Sequence, residues 1–152
     1  MSIRWLFAAL HLLALGIGLG AVWARGHALQ GELDTTGLRR VFYADTWWGI
    51  AAALWLTTGL IRTFAGLEKG SVYYLHNHLF WAKMALLGFI LALEVSPMLA
   101  LIRWRRVVAR GERPDTQGAA RFARISFFQA GLVVLMVLAA TAMARGYGVA
   151  GP

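Results

Sequence analysis

The sequence predicts an all-α integral membrane protein, a four-helix bundle with antiparallel up-down topology. Of its 152 residues 59% are hydrophobic and only 14% charged, which leaves too few polar side chains for the surface of a soluble domain. Four apolar runs approach the roughly 20 residues that a helix needs to span a bilayer. No run shows the strict alternation of a barrel strand, and open sheet edges are not stable in lipid, so the runs are expected to be helices.

The first predicted span covers residues 5–24 and follows the basic start Met1-Ser2-Ile3-Arg4. A cleaved signal peptide is the alternative, since Val22-Trp23-Ala24 contains small residues near a plausible cleavage point. The apolar stretch is longer than the roughly 7–15 residues of a signal-peptide core, which favours a retained helix.

The other predicted spans cover residues 47–65, 79–102 and 125–144. Short connections join the spans, so neighbouring helices are expected to run antiparallel within a single domain of residues 1–152. Most of the seven tryptophans and all four tyrosines lie near a span end, as amphipathic rings do at the headgroup level. The aromatic residues therefore support the same span boundaries independently.

Lysine and arginine are distributed unequally between the two sides of the predicted bundle. The first and third connections contain ten of them: Arg25, Arg39, Arg40, Arg103, Arg105, Arg106, Arg110, Arg113, Arg121 and Arg124. The opposite side contains four: Arg4, Arg62, Lys69 and Arg145. The positive-inside rule then predicts a multi-pass protein of the bacterial cytoplasmic (inner) membrane with both termini on the outer, periplasmic side.

Charge and composition also exclude several classes of function. The net charge of +8 comes from basic residues between apolar runs, so it indicates topology and not a nucleic-acid surface. The Arg-rich third connection is in addition a candidate site for anionic lipid headgroups. Without cysteine the chain has no disulfide or thiolate site, and it lacks an HExxH motif, a Gly-rich phosphate loop and a serine triad candidate.

Apart from Arg62 near the end of the second span, the ionisable residues inside the predicted spans are His11 in the first, and Lys83 and Glu94 in the third. A charge at the centre of a spanning helix costs about 2.5–3.5 kcal/mol, so each of these residues requires a reason. At a rise of about 1.5 Å per residue, His11 and Lys83 lie at similar depth in the outer half of the bundle. We therefore treat them as candidate site residues.

Helical spacing adds His76 to this set, because His76, Lys83 and Glu94 are separated by about two and three whole turns. If the third helix extends back to His76, the three residues share one face. Glu94 belongs to the inner half and is expected to pair with Arg25 or with a polar group of another helix. The outer end of this face is surrounded by a basic rim: His78, Arg62, Arg4, Lys69 and Arg145.

Each candidate also has a structural alternative. Lys83 is shallow enough for its ammonium group to reach the headgroups along an apolar surface. A neutral His11 would be hydrogen-bonded to a backbone carbonyl or to Thr57 or Thr58. Glu94 would serve only to stabilise the bundle. A wet outer loop is the alternative for the other two candidate histidines, His76 and His78.

A buried imidazole at the wall of a four-helix bundle is a common way to hold haem iron. His11 is the candidate axial ligand, and the second ligand would come from His76, His78 or Lys83. A lysine ligand must be neutral, whereas a charged Lys83, or Arg62 at the rim, would bind a haem propionate.

Short segments in the first three helices carry a resemblance to known families. Ala9-Leu10-His11-Leu12, the Arg39-Arg40 pair and Leu79-Phe80-Trp81-Ala82-Lys83-Met84 resemble the corresponding parts of the HemJ type of protoporphyrinogen oxidase, a family of small four-helix membrane proteins that bind haem b. The layout resembles CopD-like membrane proteins more distantly. Over the whole chain the sequence is most similar to an uncharacterised bacterial membrane family, a domain of unknown function.

The HemJ resemblance implies that His11 ligates haem iron and that Lys83 supports the porphyrin site. The chain departs from that family in its last helix, where Ser126-Phe127-Phe128-Gln129 stands in place of an Asn-Glu-x-Pro element. Near Glu94 it also lacks a histidine that the family tends to carry. These departures weaken the implied oxidase activity more than they weaken the implied haem binding.

The sequence therefore predicts a haem-binding protein of the cytoplasmic membrane, with haem b as cofactor, acting as an oxidoreductase in tetrapyrrole or electron-transfer chemistry. The alternative is a non-enzymatic membrane protein, either an accessory subunit of a larger complex or a protein that handles metal ions or protons. Whether the chain is an enzyme is left open. The expected partners are the lipid bilayer and either a second copy of the chain or a larger membrane complex.

Overall fold

The computed structural model describes residues 3–64 and 76–148. These residues form four α-helices: α1 (Ile3–Gln30), α2 (Thr35–Phe64), α3 (His78–Ala109) and α4 (Ala119–Ala144). The described residues contain no β-strand, which confirms the predicted all-α class. Two positions named above, residue 65 at the end of the second predicted span and Lys69 in the basic rim, lie outside the described residues.

Each helix is longer than its predicted span, mainly at the arginine-rich end of the bundle, the end formed by residues 31–34 and 110–118. α1 continues six residues past the predicted boundary at residue 24, and α2 begins at Thr35 instead of residue 47. The predicted boundaries followed apolarity alone and refer to membrane spans, which stay a prediction; the helices extend beyond them. Helical hydrogen bonding continues where the chain leaves the hydrocarbon region and its outward side chains become basic.

Three of the four helices, α1, α3 and α4, are long and apolar enough to cross a membrane. α2 has sufficient length, 30 residues, but its composition is less apolar. Its first third carries Arg39, Arg40 and Asp45, and its remainder is rich in tryptophan, glycine and threonine. Among the described helices, α2 is thus the one whose burial in lipid depends most on its neighbours.

Neighbouring helices run antiparallel, as the up-down topology requires. α1 packs against α2 and α4, and α4 packs against α3. Along the α1–α2 pair, His11 contacts Thr58, Gly18 approaches Trp48, and Arg25 contacts Asp45, so residue numbers rise on one helix as they fall on the other. The predicted topology of the bundle is confirmed, while its orientation in the membrane stays a prediction.

Two clusters of apolar side chains fill the bundle along its axis. The first lies at mid-height and includes Val22, Trp48, Ile90 and Met136, one residue from each helix. The second lies towards the arginine-rich end: Leu29, Leu38, Val41, Leu101, Trp104, Ala119, Phe122 and Ala123. Large apolar side chains also cover the outside of the helices, as expected of a protein surrounded by lipid.

The end of the bundle opposite the arginine-rich end is closed by Asn77, which is fully buried. Its side chain accepts a hydrogen bond from the backbone N–H of Leu79 (2.9 Å), caps α3 and donates to the carbonyl of Tyr147 (3.1 Å). Because α3 begins at His78, His76 lies in the preceding turn. The condition under which His76 would share one helix face with Lys83 and Glu94 is therefore not met.

The connection between α1 and α2 is short and tightly fitted. The Asp34 carboxylate accepts a hydrogen bond from the Gly37 backbone N–H (2.7 Å), and the Asp34 carbonyl accepts one from Leu38 (2.9 Å). These contacts satisfy the first backbone donors of α2. A Cβ atom on Gly37 would collide with the carbonyl oxygen of Glu32, so the turn accepts only glycine at this position.

Candidate functional site

A cluster of polar side chains lies inside the bundle, between the mid-height core and the arginine-rich end. We call it the Arg25 cluster, and all four helices contribute to it. Its members are Arg25 of α1, Asp45 of α2, Glu94 and Arg105 of α3, and Ser126 and Gln129 of α4. Polar side chains at such a depth are costly, so they mark a candidate site.

Arg25 stands at the centre of the cluster and has no exposed surface. Its guanidinium forms a two-pronged ion pair with Glu94, with N–O distances of 2.7 and 2.8 Å. The remaining N–H groups donate to Asp45 (2.9 Å), Ser126 (3.0 Å) and Gln129 (2.9 Å). These contacts account for all five N–H donors of an arginine, so the buried charge is fully hydrogen-bonded.

Gln129 connects Glu94 to the backbone of α3. Its amide nitrogen donates to the Glu94 carboxylate (2.9 Å) and to the carbonyl of Ile90 (3.1 Å), while its amide oxygen accepts from Arg25. The side chain is fully buried, and each of its polar atoms takes part. This arrangement fixes the rotamer of Glu94 and the relative height of α3 and α4.

Arg105 extends the cluster towards the surface. It donates to the second oxygen of Asp45 (2.9 Å) and to the carbonyl of Phe42 (2.8 Å), and its guanidinium lies 4.8 Å from the centre of the Phe42 ring. Side-chain exposure rises from 0% at Arg25 to 18% at Asp45 and 37% at Arg105. Two arginines and two carboxylates thus form a neutral chain from the core to the arginine-rich end.

A cavity of about 50 Å³ adjoins the cluster on the side away from the arginine-rich end. Trp48 and Trp55 line it on α2 and Leu87 on α3, and the Glu94 side chain is its one charged lining group. Within residues 3–64 and 76–148, the Trp55 indole N–H is buried and has no hydrogen-bond partner. A cavity of this size holds one or two water molecules.

His11 lies beyond this cavity, in contact with α2. Its ring stacks on Trp55 with a centroid distance of 5.6 Å, and a Cβ atom on Gly59 would lie 3.1 Å from His11 Cε1. His11 Nδ1 is 2.9 Å from the Thr58 hydroxyl oxygen. The alternative in which His11 bonds to Thr57 or Thr58 is confirmed for Thr58.

The Thr58 contact determines which nitrogen of His11 carries the proton. The Thr58 hydroxyl donates its one hydrogen to the carbonyl of Leu54 (2.7 Å), so its oxygen accepts the hydrogen bond from His11. This geometry favours the neutral tautomer in which Nδ1 carries the proton and Nε2 the lone pair.

The other predicted site residues are placed as follows. Lys83 is half-buried on α3 and shares a helix face with Leu87 and Glu94, which line the cavity. Arg62 is half-buried near the end of α2. Two of the predicted residues are exposed near the start of α3: His76 and His78.

Sequence reasoning missed much of the Arg25 cluster. Arg25 was counted among the topology signals, and Asp45 lies just before the predicted second span. Ser126 and Gln129 are not ionisable, so the search for charges inside spans passed over them. One signal was present, because a serine and a glutamine three residues apart place two hydrogen-bonding groups on one face of an apolar helix.

His11 fits the chemistry of an axial haem ligand, because such a histidine usually bonds an oxygen through its second ring nitrogen, as Nδ1 does with Thr58. The absence of a side chain at Gly59 allows the His11 ring to pack closely on α2. The cavity of about 50 Å³ is far smaller than the roughly 300–1,000 Å³ of small-molecule sites, so a porphyrin would require the helices around it to move apart.

The described residues contain no group of three or more histidine, aspartate or glutamate side chains placed to hold a metal ion.

Among known proteins, a family model described as "Predicted membrane protein (DUF2214)" matches residues 3–148. No curated protein and no solved structure gives a significant match. The match confirms the predicted uncharacterised membrane family, while the resemblance to HemJ and CopD-like proteins stays a prediction.

Proposed function

We propose a function for this chain from its family and its structure. The chain belongs to the DUF2214 family of predicted membrane proteins. It is a membrane protein with three apolar helices of spanning length and a fourth helix, α2, packed against α1. Our proposal is that it binds haem b in the cytoplasmic membrane, with His11 as axial ligand. Haem iron would supply reversible one-electron chemistry, as in electron transfer or tetrapyrrole oxidation.

The observation that carries this proposal is the hydrogen bond from His11 Nδ1 to Thr58. It orients the imidazole against α2, and in our proposal Nε2 is the atom that would bind the iron. In our proposal Lys83 supplies either a second ligand or a cation for a propionate, and Arg62 supplies a cation at the rim. Backbone contacts between α2 and α3 are few, so in our proposal these helices move apart around the cavity while the Arg105 contacts with Asp45 and Phe42 hold them at the arginine-rich end.

The absorption spectrum of the protein tests this proposal. Protein purified in mild detergent, after expression with added haem precursor, is expected to show a Soret band that shifts on reduction with dithionite. His11→Ala is expected to abolish the band. Thr58→Val keeps the shape of the side chain but removes the acceptor, and it is expected to weaken haem affinity roughly 10–100-fold.

The matched control is His27→Ala, which removes an exposed histidine from the same helix and should leave the band unchanged. A wild-type protein without a Soret band would contradict haem binding. A band that survives His11→Ala with the same position and intensity would contradict the assignment of the ligand and leave haem binding in place.

A second candidate is the handling of protons without enzymatic activity, by the chain alone or as an accessory subunit of a larger complex. The contact of Glu94 with the cavity favours it. The Glu94 side chain lines the cavity together with Trp55, and ion pairs connect Glu94 through Arg25 with the partly exposed Asp45. Intramembrane carboxylates of this kind serve as proton relays in pumps and transporters.

Proton flux into liposomes distinguishes this candidate. Liposomes that contain the protein and a pH-sensitive dye are expected to acidify faster than empty liposomes when a potassium gradient with valinomycin sets the membrane potential. Glu94→Gln should abolish the difference, whereas Glu112→Gln, a change at an exposed carboxylate in the third connection, should preserve it. Wild-type liposomes that match empty ones would exclude proton transfer.

A further inference from the structure

A groove on the lipid-facing surface lies outside both sites described above. It has an open volume of about 480 Å³ and runs along α3 beside the first turn of α4. Its walls are small and aliphatic residues of α3 from Ala92 to Ala100, together with the Phe122 ring of α4. Arg103 lines the groove at the arginine-rich end and is exposed.

The length of the groove corresponds to one leaflet of a bilayer. Ala92 and Arg103 are eleven residues apart on a continuous helix, which is a rise of about 16 Å at 1.5 Å per residue. The hydrocarbon core of a bilayer is about 30 Å thick, so each leaflet accounts for about 15 Å. An acyl chain that starts at the headgroup level beside Arg103 would therefore end near Ala92, at the middle of the membrane.

The charge at the mouth of the groove favours an anionic headgroup. The segment from Arg103 to Arg124 contains seven arginines and two acidic residues, Glu112 and Asp115. Glu112 already pairs with Arg110 at 3.3 Å, so little acidic charge opposes the arginines at this end. A basic segment beside the membrane attracts anionic lipids, and each arginine near the surface strengthens that attraction.

We propose that this groove binds one anionic phospholipid of the leaflet that meets the arginine-rich end. One acyl chain lies between α3 and the Phe122 ring, and the lipid phosphate pairs with Arg103. The lipid fills a gap between α3 and α4 that protein side chains leave open. The site depends neither on haem nor on proton transfer, because it lies on the outer surface of the bundle.

Native mass spectrometry with added lipid tests the proposal. The detergent-purified protein is titrated with phosphatidylglycerol, which is anionic, or with phosphatidylcholine of the same chain length, which is zwitterionic. We expect one phosphatidylglycerol to be retained about fivefold more strongly than phosphatidylcholine, and Arg103→Gln to remove that preference. Arg106→Gln, a change at an exposed arginine on the same helix, should keep it.

A second pair of variants tests the acyl chain. Ala92→Phe places a ring in the groove and should lower the retention of both lipids, whereas Ala85→Phe, at an exposed position of α3 outside the groove, should not. Equal loss from Arg103→Gln and Arg106→Gln would show general attraction to basic charge and overturn the site. Equal lipid retention by the Ala92→Phe and Ala85→Phe variants would also overturn it. So would the finding that the protein forms a dimer without lipid and that Ala92→Phe disrupts this dimer.

Discussion

Replacement of Arg25 by methionine is expected to cause the largest loss of stability of any single substitution in the described structure. Methionine fills part of the space, but Glu94 and Asp45 would lose the cation between them. Removal of one partner from a buried ion pair costs about 3–5 kcal/mol because the remaining charge stays buried without compensation. Thermal unfolding in mild detergent should show a midpoint lowered by about 10 °C, since 1 kcal/mol corresponds to about 2–4 °C in a chain of this size.

Two comparisons make the Arg25 result specific. Arg40→Met removes an exposed arginine from α2 and should change the midpoint little. The triple variant Arg25→Met, Glu94→Gln, Asp45→Asn removes the charges together and should recover most of the loss, because neutral amides no longer require a cation. If Arg25→Met unfolds at the same temperature as Arg40→Met, the cluster does not stabilise the bundle.

Replacement of Gly37 by alanine is expected to have the second largest effect, although it adds a single methyl group. The new Cβ atom would collide with the backbone carbonyl of Glu32, and a backbone atom cannot rotate away as a side chain can. The Asp34 cap on α2 must then shift, which breaks the hydrogen bond to the residue 37 N–H. We expect a loss of about 2–3 kcal/mol in the free energy of unfolding.

The control for this substitution is Gly20→Ala in α1. A Cβ atom at Gly20 meets nothing within 4 Å, and alanine is the better helix former by about 1 kcal/mol. In the same detergent, the unfolding midpoint of Gly37→Ala should therefore fall, while that of Gly20→Ala should rise or stay unchanged. A Gly37→Ala protein as stable as wild type would show that the α1–α2 connection relaxes without cost.

The sequence predicted the helical fold and the depth of His11 and Glu94 because both depend on local information. Long apolar runs require helices in lipid, and the rise per residue converts position in the run into depth. The helix boundaries were less predictable. They depend on caps such as Asn77 and on polar outer turns that continue a helix beyond its apolar part.

The prediction for Glu94 shows the limit of such reasoning most clearly. The sequence indicated that a carboxylate inside a span would need a partner, and it named Arg25 among the possibilities. It did not indicate that Gln129 and Ser126 complete the hydrogen bonds of that pair, or that Asp45 and Arg105 connect it to the surface. These residues are separated from Arg25 by 20 to 104 positions, and no local pattern relates them.

By itself the sequence determined that this chain is a helical membrane protein with a few polar groups inside an apolar bundle. Composition and periodicity suffice for that conclusion, because lipid allows only backbones that satisfy their own hydrogen bonds. Only the tertiary structure decided that Arg25, counted as a topology signal, is the buried centre of the cluster, and that Thr58 is the hydrogen-bond partner of His11 Nδ1. The physical reason is that the rotation and register of packed helices decide which side chains meet. Rotation and register depend in turn on contacts across the whole bundle.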